Sequence, residues 1–455
     1  MSAGDELSPI DGRYRDEVAS IRDLLSEKGL FYERARVELL YLKALESARV
    51  FPIDAPNFDP ETVLKSLPSN WYEEVKGAEK NVGHDVKALE LVLRKKLDEL
   101  GYTKLSPIVH LGLTSDDVNN LAYARLLLKS MREVVKHYSI LVGLLSELAV
   151  KYEKNPMLAR THGMPAEPTT FGKEMAFFSW RISMRVRAAS KIKPYGKLGG
   201  AVGNHNALVF LRPDFDWILF SQSFVRSLGL DYAPLTKQTV PYEGSSDMLH
   251  QLMLLNYITQ ELARDLWTYN MLGLVSFERK GVSSSTMPHK VNPVDLEDAE
   301  GQVDASNSLL STITYKLVQT RLQRDLSDSP VRRLLGQAIA HSLIACDRVI
   351  KSLQYMRVNT EKMADELMCH PEILSEAVQV SLRLQGDEKG YEKVQQGIGE
   401  LELIRKLVKG ELGERLSDLK PTNYLGIAPR LARLAVEESQ IALKEAQASI
   451  ASWPQ

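Results

Sequence analysis

Gly281-Val282-Ser283-Ser284-Ser285-Thr286-Met287-Pro288-His289-Lys290-Val291-Asn292-Pro293 is the stretch around which the rest of the chain reads. Its three successive serines compete for backbone hydrogen bonds. Pro288 and Pro293 each lack a donor and hold the preceding residue in extended geometry. The segment is therefore a loop, with hydroxyls, an imidazole, an ammonium and an amide side by side. Patterns of helical periodicity flank it, from about Ser245 to Leu274 and from Pro293 to about Leu322, so the loop hangs between two rigid walls. Its composition suits a catalytic lid and equally an ordinary polar connector.

Working outward, the same periodicity recurs from Asp116 to about Lys154, from Pro168 to about Lys193 and from Pro330 to about Met356. The first of these spans roughly 38 residues, a rod near 57 Å that needs neighbours along its whole length. Within 245–274, Leu252, Met253, Leu254 and Leu255 are adjacent, so this helix is apolar on most sides and belongs in a bundle larger than one chain. The fold class is all-α: a long central helical bundle with smaller helical ends. A connector at 101–110, with Gly101 and Pro107, places one boundary, and the expected domains are 1–106, 107–357 and 358–455. The last alternates short helical patterns with Gly386, Gly390, Gly410 and a Pro421–Gly426 turn.

Composition narrows the class further. With 57 basic against 59 acidic residues the formal net charge is −2, so no global field points to nucleic acid or to an anionic membrane. The start, MSAGDELSPIDGRYRDE, lacks an apolar core, and no run of about 18 apolar residues follows. A cytoplasmic enzyme is the expectation. Cys346 and Cys369 lie in helical patterns without metal-ligand spacing and read as buried thiols, not a disulfide or a zinc site. The run Gly199-Gly200-Ala201-Val202-Gly203-Asn204 lacks both GxGxxG spacing and a preceding strand, so it is a tight turn and not a dinucleotide loop. Neither a metal nor a cofactor is expected.

Several short segments carry chemistry. Ser8 to Arg15 is a turn-rich arm in which Arg13 offers an anion a fixed donor fork beside Tyr14. His84-Asp85 reads first as a structural hydrogen-bonded pair. Thr114-Ser115-Asp116-Asp117 fits a capping box at the start of the long rod, where unpaired N–H groups also favour a carboxylate. In Arg160-Thr161-His162-Gly163-Met164-Pro165, glycine and proline hold His162 on a constrained loop. Arg324 to Arg333 is a charged turn in which Ser329 and Arg333 straddle a helix start, with Pro330 in its first turn, as a phosphate cradle. Gln238 carries no signal of its own.

SSTMPHKVNP resembles the signature loop of the fumarase/aspartase superfamily, and His289 between Pro288 and Lys290 is similar to the adenylosuccinate lyase version of it. Ser283 stands where that family usually has glycine. The resemblance extends through DGRY at 11–14, HDV at 84–86, the segments at 110–119 and 160–166, GAVGN at 200–204, and RDLSDS at 324–329. It implies elimination of fumarate from a succinylated purine nucleotide, in a homotetramer whose sites are shared between chains. It further implies His162 as general acid and Ser284 as base, with Ser285 the alternative. Arg13, Tyr14, His84, Asp85, Thr114, Ser115, Thr161, Gln238, Lys290, Asn292, Arg324, Ser329 and Arg333 would bind substrate. A carboxymuconate cycloisomerase-like enzyme and a catalytically silent scaffold are the alternatives.

Overall fold

Residues 6–52, 58–278, 287 and 289–454 are described by a computed structural model, so Ser283 to Thr286, with the candidate base Ser284, lie outside the described residues. The chain is 66% helical, as the periodicity predicts. The helices that position the site are α1 (Glu27–Ser47), α2 (Asp85–Glu99), α3 (Ser115–Lys151), α4 (Phe171–Ser190), α5 (Glu243–Met271), α6 (Val294–Leu317), α7 (Leu335–Tyr355), α8 (Thr360–Met368) and α9 (Ala428–Ile450). Short strands pair in twos: β1 (Pro156–Thr161) with β2 (Met164–Thr170), β3 (Tyr195–Gly196) with β4 (Asp231–Tyr232), and β5 (Val275–Phe277) with β6 (Met356–Val358).

Helix α3 begins where the sequence places it. Thr114 is extended (φ −107°, ψ 158°) as the N-cap, and its N–H donates to Asp117 Oδ2 at 2.8 Å, which is the acid reaching back in a capping box. Leu121, Leu128, Met131, Val135, Tyr138, Val142 and Leu145 then bury one stripe. At 37 residues the rod is about 55 Å long. Helix α4 runs back along it. A Cβ on Gly172 would lie 2.4 Å from Ala149 O, and Ser146 and Ser179 touch through their hydroxyls at 2.8 Å.

Helices α5 and α7 run parallel to α3, and α6 runs against them. A buried polar knot ties these four together. Asn256 of α5 accepts from Tyr138 of α3 at 3.2 Å and from Ser342 of α7 at 2.6 Å. It donates to Ser306 and Asn307 of α6 at 3.0 and 2.8 Å. A fully satisfied knot inside an apolar bundle fixes which helix faces which, because a slip in register strands a buried amide.

Smaller cores flank the bundle. Phe31, Leu42, Val63, Trp71, Leu89 and Leu93 pack together towards the N-terminus, and Leu374, Val378, Leu382, Val394, Leu401 and Leu416 towards the C-terminus. Helix α9 leaves that second lobe and lies along α4 and α3, burying Ala432, Val436, Ala442 and Ala446. On α5, Leu254 and Tyr257 remain 42% and 51% exposed opposite the buried Leu252 and Leu255.

Four expectations change. The segment 156–170 is a hairpin, not a loop running into a helix at Pro168. Thr170 is the N-cap, accepting from Lys173 N–H at 3.1 Å, and the three prolines ahead of it suit a two-stranded edge. The helix expected from Pro330 is a single turn, Ser329–Arg332, followed by α7 from Leu335. The helix expected to reach Leu322 stops at Leu317. Cys369 is exposed; Cys346 alone is buried. No helix among the described residues is long and apolar enough to cross a membrane.

Candidate active site

At one end of the bundle, where α3, α5 and α7 begin, Thr114 and Ser115 stay partly exposed on the first turn of α3 while the next two acids turn inward. Asp117 accepts from Lys197 Nζ at 3.0 Å and from the N–H groups of Gly199 and Gly200 at 2.9 and 3.0 Å. Asp116 lies 2.9 Å from Arg324 and 3.3 Å from Arg332. Arg332 also reaches Asp328 at 2.7 Å and the Tyr242 hydroxyl at 2.8 Å. Both carboxylates complement the positive end of the helix dipole. They also fasten two loops, 197–203 and 324–333, to the start of α3.

Those loops carry other candidate residues to the same place. Gly203, at φ +87°, has Thr236 O 2.4 Å from where a Cβ would be, so only glycine lets the 199–204 turn seat on the 235–238 segment. Gln238 donates to Ala201 O at 3.0 Å. Arg333 faces Asp85 at 3.6 Å and Glu27 at 3.6 Å, and buried Arg34 holds Asp85 at 2.9 Å. Burial alone would raise the Asp85 carboxyl, but the Arg34 charge and the Val86 N–H hold it below its ordinary value. His84 caps α2, its Nδ1 accepting from Lys87 N–H at 3.3 Å, with most of the ring free to solvent. His110 meets Glu38 of α1 at 2.5 Å and pins the approaching connector.

His84, Asp85, Thr114, Ser115, Gln238, Arg324, Ser329 and Arg333 thus share one end of the bundle. The helix start expected at Ser329 is a single turn of four residues with Asp328 as its N-cap residue, and the Asp328 carboxylate faces Arg332 and Arg324 at 2.7 and 3.7 Å. Arg332, not Arg333, is the arginine turned inward. Sequence reasoning gave Asp117 only its capping role and passed over Asp116, Lys197 and Arg332 as site residues. For Lys197 the one available signal was a cation between Gly196 and Gly199-Gly200, where backbone approaches closely.

The opposite end presents the remaining candidates. His162 and Gly163, at φ +53° and +79°, form the two-residue turn of the β1–β2 hairpin, the geometry of a type I′ connection. Thr161 and His162 are exposed there. Lys290 and Asn292 lead into α6, and Asn292 lines a cleft with Phe277, Asp295, Lys351 and Tyr355. Beside α6, Tyr14 donates to Asp298 at 3.4 Å, and Arg13 shares a cleft with Asp295, Asp298, Arg348 and Lys351. The roughly 55 Å of α3 separates Thr114 from the hairpin that follows its far end.

The hairpin also touches the C-terminal lobe through two carboxyls. A hydrogen bond from Glu376, with burial and the Glu376 charge, lifts the Glu167 carboxyl to about 7, against a smaller opposing effect of the Tyr424 hydroxyl. A group whose folded pKa is raised contributes its stability at low pH and loses it as pH rises through the folded value. The contact is therefore expected to loosen as pH climbs through about 7, read as faster proteolysis of residues 371–424. Glu167→Gln is expected to abolish that pH dependence.

Two family models match the chain: one described as lyase over residues 12–303, and one described as adenylosuccinate lyase C-terminal over 320–425. The adenylosuccinate lyase of Escherichia coli (strain K12) is 36% identical over 450 residues, covering 94% of this chain and 98% of that protein. That of Haemophilus influenzae is 36% identical over 445 residues, covering 93% and 97%. Among solved structures, a fumarate lyase from Mesorhizobium sp. BNC1 superposes with a TM-score of 0.76 at 17% identity, covering 92% of this chain and 97% of that one. A 3-carboxy-cis,cis-muconate lactonizing enzyme from Pseudomonas putida gives 0.75 at 21%, covering 93% and 97%. At those identities the structures speak for the fold alone. The near full-length identity to curated relatives decides the narrower question, and the chain belongs to the adenylosuccinate lyase family of the fumarase/aspartase superfamily.

Proposed function

We propose that the protein eliminates fumarate from adenylosuccinate, releasing AMP, and from SAICAR, releasing AICAR. The observation that carries this is the 36% identity to adenylosuccinate lyases over almost the whole of both chains. The muconate-type reading is left with the fold alone.

The chemistry asks for a base to take a proton from the methylene carbon of the succinyl group. An acid must then protonate the purine-side nitrogen as its bond to the neighbouring carbon breaks. His162, at an exposed turn, is the acid in this reading, and Ser284 or Ser285 the base. Lys290 and Asn292 stabilise the charge that the adjacent carboxylate gains in the carbanion. Thr114, Ser115, Thr161 and Gln238 hold the carboxylates, while Arg13, Tyr14, His84, Asp85, Arg324, Ser329 and Arg333 hold the nucleotide. Arg324 already faces Asp116, so its second contact must come from a different edge of the guanidinium.

A single substrate cannot bridge about 55 Å, so Thr114 and Ser115 must act with His162 of another copy. The exposed apolar face of α5 supports assembly of such copies into a homotetramer. An absorbance assay of fumarate release from adenylosuccinate tests the activity. Subunit mixing tests the sharing: His162→Asn and Ser115→Ala parents, each expected below about a hundredth of wild-type rate, regain activity when co-refolded. Recovery no greater than the summed parents would place each site within one chain.

A further inference from the structure

The turn bearing His162 is held from beside it as well as by its own strand pairing. Along β1, Leu158 and Arg160 share a face. The register shifts from Leu158 opposite Pro168 to Arg160 opposite Pro165, which puts the extra residue on β2 and leaves the alternation of β1 intact. That face lies on α8. Leu158 is buried with Leu367 and Ile373, and Arg160 pairs with Glu366 through Nη2 while Nη1 reaches the Gly163 carbonyl at 3.5 Å. Asn155, just before β1, donates to Met363 Sδ at 3.1 Å. One planar guanidinium therefore spans from the last carbonyl of the turn to a helix outside the hairpin, and its fork sets two directions at once.

Stability alone does not account for this pair. Arg160 Nε and Glu366 Oε2 are both buried without a hydrogen-bond partner among the described residues. An incompletely satisfied ion pair is a weak stabiliser beside an apolar pair such as Leu158 with Leu367. What the pair supplies is aim. An acid at an exposed two-residue turn must meet the leaving nitrogen at hydrogen-bond distance, and a misplacement near 1 Å costs on the order of 100-fold in rate.

We propose that Glu366, acting through Arg160, is a positioning residue for His162. The inference rests on the reading of His162 as the general acid. Steady-state kinetics on full-length Glu366→Ala, Glu366→Gln, His162→Asn and the Glu366→Ala/His162→Asn double variant test it. Glu366→Ala is expected to lower kcat by about 10- to 100-fold with KM within about threefold of wild type. Glu366→Gln recovers most of the rate, because its amide oxygen still accepts from Arg160, and Glu366→Ala slows the His162→Asn parent no further. If Glu366→Ala fails to fold, Arg160→Lys replaces it, since one ammonium cannot span both Glu366 and Gly163 O; the same loss of kcat is expected. A variant kcat within about twofold of wild type, no rescue by glutamine, or an equal loss in the His162→Asn background would each overturn the inference and leave the acid assignment standing. Full activity of His162→Asn would overturn both.

Discussion

Replacing His162 by asparagine is expected to lower kcat by about 100-fold or more while leaving the melting temperature and assembly unchanged. A positioned proton donor contributes about 10²- to 10⁴-fold, and Gly163, the other residue of the turn, has no side chain to take its place. Asparagine is the informative replacement because the residue sits at φ +53°, where asparagine is tolerated and most side chains are strained. The turn is exposed, so its loss should not open the core. Ser284→Ala is expected to be equally severe. Retention of more than about a tenth of wild-type activity by either variant, a barrier change of only about 1.4 kcal/mol, would reject the role given to that residue.

Lys197→Met is expected to be the most destabilising single change near the site, by about 3–5 kcal/mol in chemical denaturation. Lys197 and Asp117 are 1% and 0% exposed and 3.0 Å apart. Truncating the cation leaves a buried carboxylate without a countercharge, the costly way to break such a pair. Lys197 Nζ also donates to Gly200 O at 2.8 Å, so the 199–203 turn loses its tether and Gln238 loses its seat at Ala201. Adding Asp117→Asn to Lys197→Met is expected to recover part of the loss, as removal of both charges leaves none stranded. A Lys197→Met cost below about 1 kcal/mol would show that the backbone N–H groups alone satisfy Asp117.

Much of the architecture was written in local patterns. The α3 rod, its capping box and the wall helices α5 and α6 follow from 3.6-residue periodicity, from proline placement and from the side chains at the first turn, all of which act within a few residues. The hairpin at 156–170 was not legible, because proline-rich strands carry no alternation and only Thr170 announces the helix behind them. The helix expected from Pro330 was read by the same local logic, which cannot see a buried Asp328 turned towards Arg332 beside a single turn.

By itself the sequence determined the helical class and the family. Those depend on side-chain chemistry in short contiguous segments. The tertiary structure decided which segments keep company: Asp116 and Asp117 with arginines and a lysine far along the chain, Arg160 with Glu366, and Thr114 about 55 Å from the His162 hairpin. Such pairings arise from how rigid rods stack, and no local rule of propensity or capping encodes the distance between the two ends of a rod.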